Sequence, residues 1–178
     1  MNKTKYTPLA ILFHWLTALG IFVCFPLGLY MSDLALSPRK LQLISYHKWL
    51  GVTIFAILVF RIIWRFFHQP PALPESMPAW QITASNLTHI ALYFFMIAVP
   101  LSGWIMSSAK GFTTVYLGIF PLPDLISKDT VLAESLVDVH EFLNYALLLL
   151  VLLHIAAAIK HHFINHDSVL VRMLPWKK

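Results

Sequence analysis

The sequence predicts an all-α fold: an integral membrane four-helix bundle. Three observations predict it. Of 178 residues, 58% are hydrophobic and only 12% charged, and the mean hydropathy of +0.71 is far above that of an ordinary soluble domain. The apolar residues fall into four long runs, and about eighteen in succession suffice to cross a bilayer as a helix. The breaks between the runs carry prolines and charges, which end helices.

The first span is expected over about residues 8–31. Its start, "MNKTKYTPLAILFHWL", has a basic head and an apolar body, and no small-x-small cleavage site follows closely, so it reads as a retained span. The second span is expected over about 41–67. Pro70, Pro71 and Pro74 in "HQPPALPESMPAW" mark a firm stop after it. The third is expected over about 82–108, with Pro100 and Gly103 in "AVPLSGW" suggesting a kink that opens space or simply packs. The fourth is expected over about 135–164. The connection from Lys110 to Glu134 is the longest, and its Thr114–Phe120 part is expected along the interface with Tyr116 and Phe120 as anchors. All 178 residues read as one transmembrane domain.

Basic residues set the expected orientation. Lys3, Lys5, Arg61, Arg65, Lys160, Arg172, Lys177 and Lys178 fall on one side, against Arg39, Lys40, Lys48, Lys110 and Lys128 on the other. Both termini are therefore expected in the cytoplasm of a multi-pass membrane protein. The net charge of +5 is a topology signal. The basic residues flank spans and form no single soluble patch, which argues against nucleic-acid binding. The single cysteine, Cys24, excludes a disulfide framework, covalent haem attachment through CxxCH and a thiolate metal cluster. As a lone cysteine in an apolar run it reads as a packing residue.

Histidines inside spans are rare and commonly functional. In the fourth span His140 and His154 lie fourteen residues apart. That is nearly four turns and about 21 Å, so both rings share one face. His14 lies about two turns into the first span and His47 about two turns into the second. In an up-and-down bundle His14 then meets the level of His154, and His47 the level of His140. Two imidazoles on opposite sides of a flat macrocycle are what a bis-axial haem iron requires. Zinc or copper would need three or four ligands at one level, whereas these histidines divide two and two. The expectation is two haems, one between His14 and His154, the other between His47 and His140, with these four as iron ligands.

Other residues extend this reading. Gly51, four after His47, leaves room for a porphyrin on the same face or else serves close helix packing. Arg61, fourteen after His47, pairs with a haem propionate or snorkels to the surface. His161, seven beyond His154, hydrogen-bonds a quinone carbonyl or a propionate, or is merely an exposed residue at the helix end. His89 is a rival ligand at the level of His154, ranked below His14 because its own helix offers no partner at the other level. His68, His162 and His166 read as interfacial.

Four segments, "LAILFHWLTALG", "HKWLGVTIFAILVFRIIWR", "ALYFFMIAVPLSGWIM" and "VHEFLNYALLLLVLLHIAAAIKHHF", together resemble the small bacterial cytochrome b561 family over nearly the whole chain. The short tail "DSVLVRMLPWKK" belongs to the likeness. The resemblance implies a four-helix di-haem cytochrome b and carries ligand roles onto His14, His47, His140 and His154. More distantly the chain is similar to the cytochrome b subunits of membrane hydrogenases and formate dehydrogenases. The family implies electron transfer with the membrane quinone pool, ubiquinone being the expected substrate. In some relatives it implies oxidation of superoxide on the periplasmic side, for which Arg39, Lys40, Lys48 and Lys110 are candidates to steer a small anion. Three functions follow as expectations. The first is a self-contained quinone-linked oxidoreductase with a periplasmic donor such as superoxide. The second is an electron-conduit subunit docked to a partner dehydrogenase or hydrogenase through the Lys110–Glu134 connection. The third is a non-redox transporter with a histidine proton relay, disfavoured because the histidines cluster at two levels and form no ladder.

Overall fold

A computed structural model describes residues 5–74 and 76–175. Four helices dominate: α1 Pro8–Ser32, α2 Pro38–Phe67, α3 Ala79–Ala109 and α4 Thr130–Phe163. Each is long and apolar enough to span a bilayer. The expected topology residues Lys3, Lys177 and Lys178 lie outside the described residues.

α2 and α4 begin earlier than hydropathy alone suggests because their caps are polar. Thr7 caps α1 by accepting from the Ala10 amide at 3.3 Å. Ser37 caps α2 through the Lys40 amide at 3.2 Å, and Asp129 caps α4 through the Leu132 amide at 3.0 Å. Each cap satisfies an amide left free in the first turn. Pro8 and Pro38 stand at the first helical position, where their missing N–H costs nothing. Capping draws α2 back to Pro38 and α4 back to Thr130, into stretches whose polarity read as loop.

The helices run up and down. Trp64 near the end of α2 donates its indole N–H to Thr7 at the start of α1 (2.8 Å), and Trp15 donates to the Met173 carbonyl beyond α4 (2.8 Å). These contacts define one end, called here the terminal end. At the opposite, loop end, Lys48 of α2 reaches Ser107 and the Phe112 carbonyl beside the end of α3. The helices pack most closely as two pairs, α1 with α2 and α3 with α4, with a sparser α2–α3 seam. In the first pair Gly20 lies so close to Ile54 that a Cβ would stand 2.6 Å from its Cγ1, the close approach that small residues permit in membranes. A core of Leu58, Leu92, Met96 and Leu147 joins α2, α3 and α4. Large apolar side chains such as Phe22, Phe60, Phe94 and Leu149 point outward, which suits lipid and would be costly in water.

The α3–α4 connection forms a small hairpin, absent from the sequence expectation, with β1 Val115–Tyr116 antiparallel to β2 Phe120–Pro121. Leu117 and Gly118, both at positive φ (53° and 72°), turn it. The hairpin is strapped to α2: Trp49 donates to the Val115 carbonyl (2.7 Å), and the hydroxyls of Thr53 and Tyr116 meet at 2.9 Å. Tyr116, expected as an interface anchor, thus turns back onto the bundle, while Phe120 is exposed.

Candidate functional site

At the loop end, α2 supplies His47 and α4 supplies His140, their ring centroids 6.4 Å apart and nearly perpendicular at 85°. At the terminal end, α1 supplies His14 and α4 supplies His154, with centroids 6.2 Å apart at 66°. Fourteen residues along α4 separate the two levels by about 21 Å. Two imidazoles bound to one metal ion, each nitrogen about 2 Å away, hold their centroids roughly 6 Å apart. Both pairs have that spacing.

Between the helices at the loop end lies a cavity with about 1290 Å³ of non-atom space including its open mouth. Its lining includes Cys24, His47, Gly51, Gly103, His140 and Leu147. A Cβ on Gly51 would meet nothing within 4 Å, so open space adjoins this glycine, and close helix packing falls to Gly20 instead. The wall is overwhelmingly apolar, as a buried flat macrocycle requires. These features fit a haem at this level.

Neighbouring helices brace both imidazoles from behind. On α1, a Cβ at Gly28 would stand 3.1 Å from His47 Cε1, and Cys24 Sγ lies 3.4 Å from His47 Nδ1. On α3, a Cβ at Gly103 would stand 3.0 Å from His140 Cε1, and Ser102 Oγ lies 2.9 Å from His140 Nδ1. Sequence reasoning did not single out Gly28 or Ser102, and it took Cys24 as plain packing. The available signal was Cys24–Gly28, four apart on one face of α1 at the depth of His47.

Three imidazoles gather at the terminal end. The His89 ring lies 5.4 Å from that of His154, nearer than the His14 ring. His89 Nδ1 bonds the Ser85 carbonyl of its own helix at 2.8 Å. His14 Nδ1 is buried without a hydrogen-bond partner among the described residues. Arg61 lies over the Tyr93 ring, its Cζ 5.5 Å from the centroid, and no carboxylate among the described residues forms an ion pair with it. A half-buried guanidinium of this kind suits a ligand carboxylate such as a propionate. His161 Nδ1 pairs with Asp167 at 2.5 Å, with Asn165 3.2 Å away, and Nε2 has no partner among the described residues. His68 stacks on Trp64 at 3.8 Å.

At the loop-end mouth Lys48 spends two donors on Ser107 Oγ (2.6 Å) and the Phe112 carbonyl (3.2 Å). An ammonium group carries three, so among the described residues one remains unpaired beside a cavity that Lys48 itself lines.

Comparison with known proteins agrees with this architecture. The family model described as prokaryotic cytochrome b561 matches residues 5–176. Cytochrome b561 homolog 2 of Escherichia coli (strain K12) is 32% identical over 172 residues, covering 96% of this chain and 91% of that protein. Cytochrome b561 homolog 1 of the same organism is 27% identical over the full length of both. A protein named probable superoxide oxidase CybB, from Yersinia pestis, is 27% identical across 100% of this chain and 99% of its own.

Proposed function

The chain belongs to the prokaryotic cytochrome b561 family, and from that premise we propose that this multi-pass inner-membrane protein, of a family of b-type haem electron carriers, moves single electrons across the bilayer between a periplasmic donor and the quinone pool. The observation that carries the reading is the pair of imidazole clamps, at 6.2 and 6.4 Å, one at each end of the bundle. In this reading His14 and His154 hold one haem, and His47 and His140 hold the other. Each bound haem supplies a one-electron couple with no open coordination position. The protein's part is to fix the clamps at two depths, keep the walls apolar and exclude water between them. Arg61 binds a propionate at the terminal end, which faces the cytoplasm by the balance of basic residues.

The donor we propose is superoxide. A relative bears the name of a probable superoxide oxidase, and the spare donor of Lys48 offers a cation at the mouth of the loop-end cavity. Two superoxide anions oxidised to dioxygen release two electrons, which with two protons reduce one quinone to quinol. We take the quinone to be ubiquinone. His161, with Nδ1 held by Asp167, keeps Nε2 free to pass a proton to or from a quinone oxygen at the terminal end.

The test is stopped-flow reduction of the purified protein's haems by superoxide, by quinol and by an unrelated reductant. The reading expects fast reduction by superoxide and quinol alike. Superoxide no faster than the unrelated reductant removes the donor assignment. Haem counts on H14A and H47A check the clamps: each variant should lose a different haem, and loss of the same haem from both would refute the pairing.

A further inference from the structure

Among the four imidazoles of the clamps, only His140 has a side-chain oxygen against Nδ1 among the described residues: Ser102 Oγ at 2.9 Å. Ser102 stands on α3 and is 7% exposed. A serine in a helix commonly turns its hydroxyl back onto its own backbone, and Ser102 does so, donating to the Val99 carbonyl at 2.8 Å. That single proton is then committed, so the oxygen meets His140 with a lone pair. A lone pair facing Nδ1 requires Nδ1–H, and a neutral imidazole protonated there carries its free electron pair on Nε2. Gly103, the next residue, removes the side chain that would otherwise crowd the ring, since a Cβ would stand 3.0 Å from His140 Cε1. The ring is thereby pinned between a glycine and a hydrogen-bond acceptor on one helix turn.

We propose that Ser102 is a positioning residue that fixes His140 in the tautomer presenting Nε2 to iron, and that its hydroxyl lowers the midpoint potential of the haem at that level. This rests on the two-haem reading above. An acceptor on the distal nitrogen of a metal-bound imidazole increases the ligand's basicity and favours the more positive metal ion. Among the described residues, His47 on the opposite side meets at Nδ1 only the sulfur of Cys24 at 3.4 Å, a weak acceptor. The two axial ligands of one haem are therefore tuned unequally, and Ser102 is the stronger lever.

The experiment is an optical redox titration of purified, haem-loaded protein as the parent and as S102A, S102T and H140A. H140A identifies the component concerned, because it loses the loop-end haem. In S102A that same component is expected to rise in potential, its reduced-to-oxidised ratio at fixed ambient potential growing about tenfold, which is about 59 mV for a one-electron couple. The other component stays put, and S102T, which keeps the hydroxyl, titrates like the parent. Unchanged potentials in a fully loaded S102A overturn the proposal while leaving the two-haem reading intact. An H140A that retains both haems overturns the reading itself. Should S102A fail to hold the loop-end haem, S102C is titrated in its place: a raised potential supports the role, and a parental one overturns it.

Discussion

At the scale of single residues, the site depends on where side chains are missing as much as on where they are present. Gly51 borders empty space, so bulk added there enters the cavity without disturbing a packed seam. G51L is expected to block haem at the loop-end level while the terminal-end haem still binds, halving the haem count of the purified protein. A G51L protein with its full haem content would show that the macrocycle does not approach this face. Arg61 makes the complementary case. It lies inside the bundle with an aromatic ring for company and no acid paired to it among the described residues. If a propionate is its partner, R61Q forfeits a charge-assisted hydrogen bond of about 1.5–3 kcal/mol, and haem at the terminal end should bind roughly ten- to a hundredfold more weakly. Equal affinity in R61Q and parent, measured by haem titration of the apoprotein, would return Arg61 to the role of a snorkelling cation.

At the scale of elements, α1 and α2 are held together by the close approach of Gly20 to Ile54. A Cβ only 2.6 Å from Ile54 Cγ1 cannot be accommodated without a shift of the helix or a new rotamer. G20A is therefore expected to cost about 1–3 kcal/mol, seen as a lower melting temperature in detergent, and an additional I54A substitution should recover part of the loss by removing the clash. The hairpin between α3 and α4 depends on different forces. Its tie to α2 through the Trp49 indole is one hydrogen bond, worth about 0.5–1.5 kcal/mol, and W49F should remove it while keeping an aromatic ring. Faster amide exchange confined to residues 113–122 is the expected result; uniform exchange in both proteins would mean that the Thr53–Tyr116 contact suffices. Pro100 stands inside an unbroken α3, and the residues two and three positions on, Ser102 and Gly103, receive the His140 ring.

At the scale of the whole molecule, the division of charge between the two ends governs how it meets its partners. The loop end carries Arg39, Lys40, Lys48, Lys110 and Lys128. If an anion such as superoxide arrives there, association is steered by their combined field and weakens as salt shortens the Debye length from about 30 Å at 0.01 M to about 3 Å at 1 M. Reduction of the haems by superoxide should therefore slow with ionic strength, whereas reduction by neutral quinol should hardly change. Equal salt sensitivity for the two donors would detach the basic residues from the chemistry. The outward display of large apolar side chains over all four helices keeps both reactions tied to a bilayer, since that surface has no stable contact with water.

Much of this protein was legible in the order of its residues. Run length determined the four spans, because only about eighteen apolar residues in helical form cross the hydrocarbon layer with every backbone group satisfied. Helical rise determined that His140 and His154 share a face about 21 Å apart, and alternation of direction brought His14 to the depth of His154 and His47 to that of His140. Hydropathy could not see the helix starts at Pro38 and Thr130, because the capping residues Ser37 and Asp129 are polar and resemble loop. Depth, moreover, is a single coordinate. It ranks residues along the membrane normal and says nothing of azimuth, so it could not bring Cys24 to His47, Ser102 to His140, or the His89 ring nearer to His154 than His14 comes. Those neighbours were decided by how each helix rotates about its axis when ridges and small residues of adjacent helices interlock, a choice made jointly by all four helices and written in none of them alone.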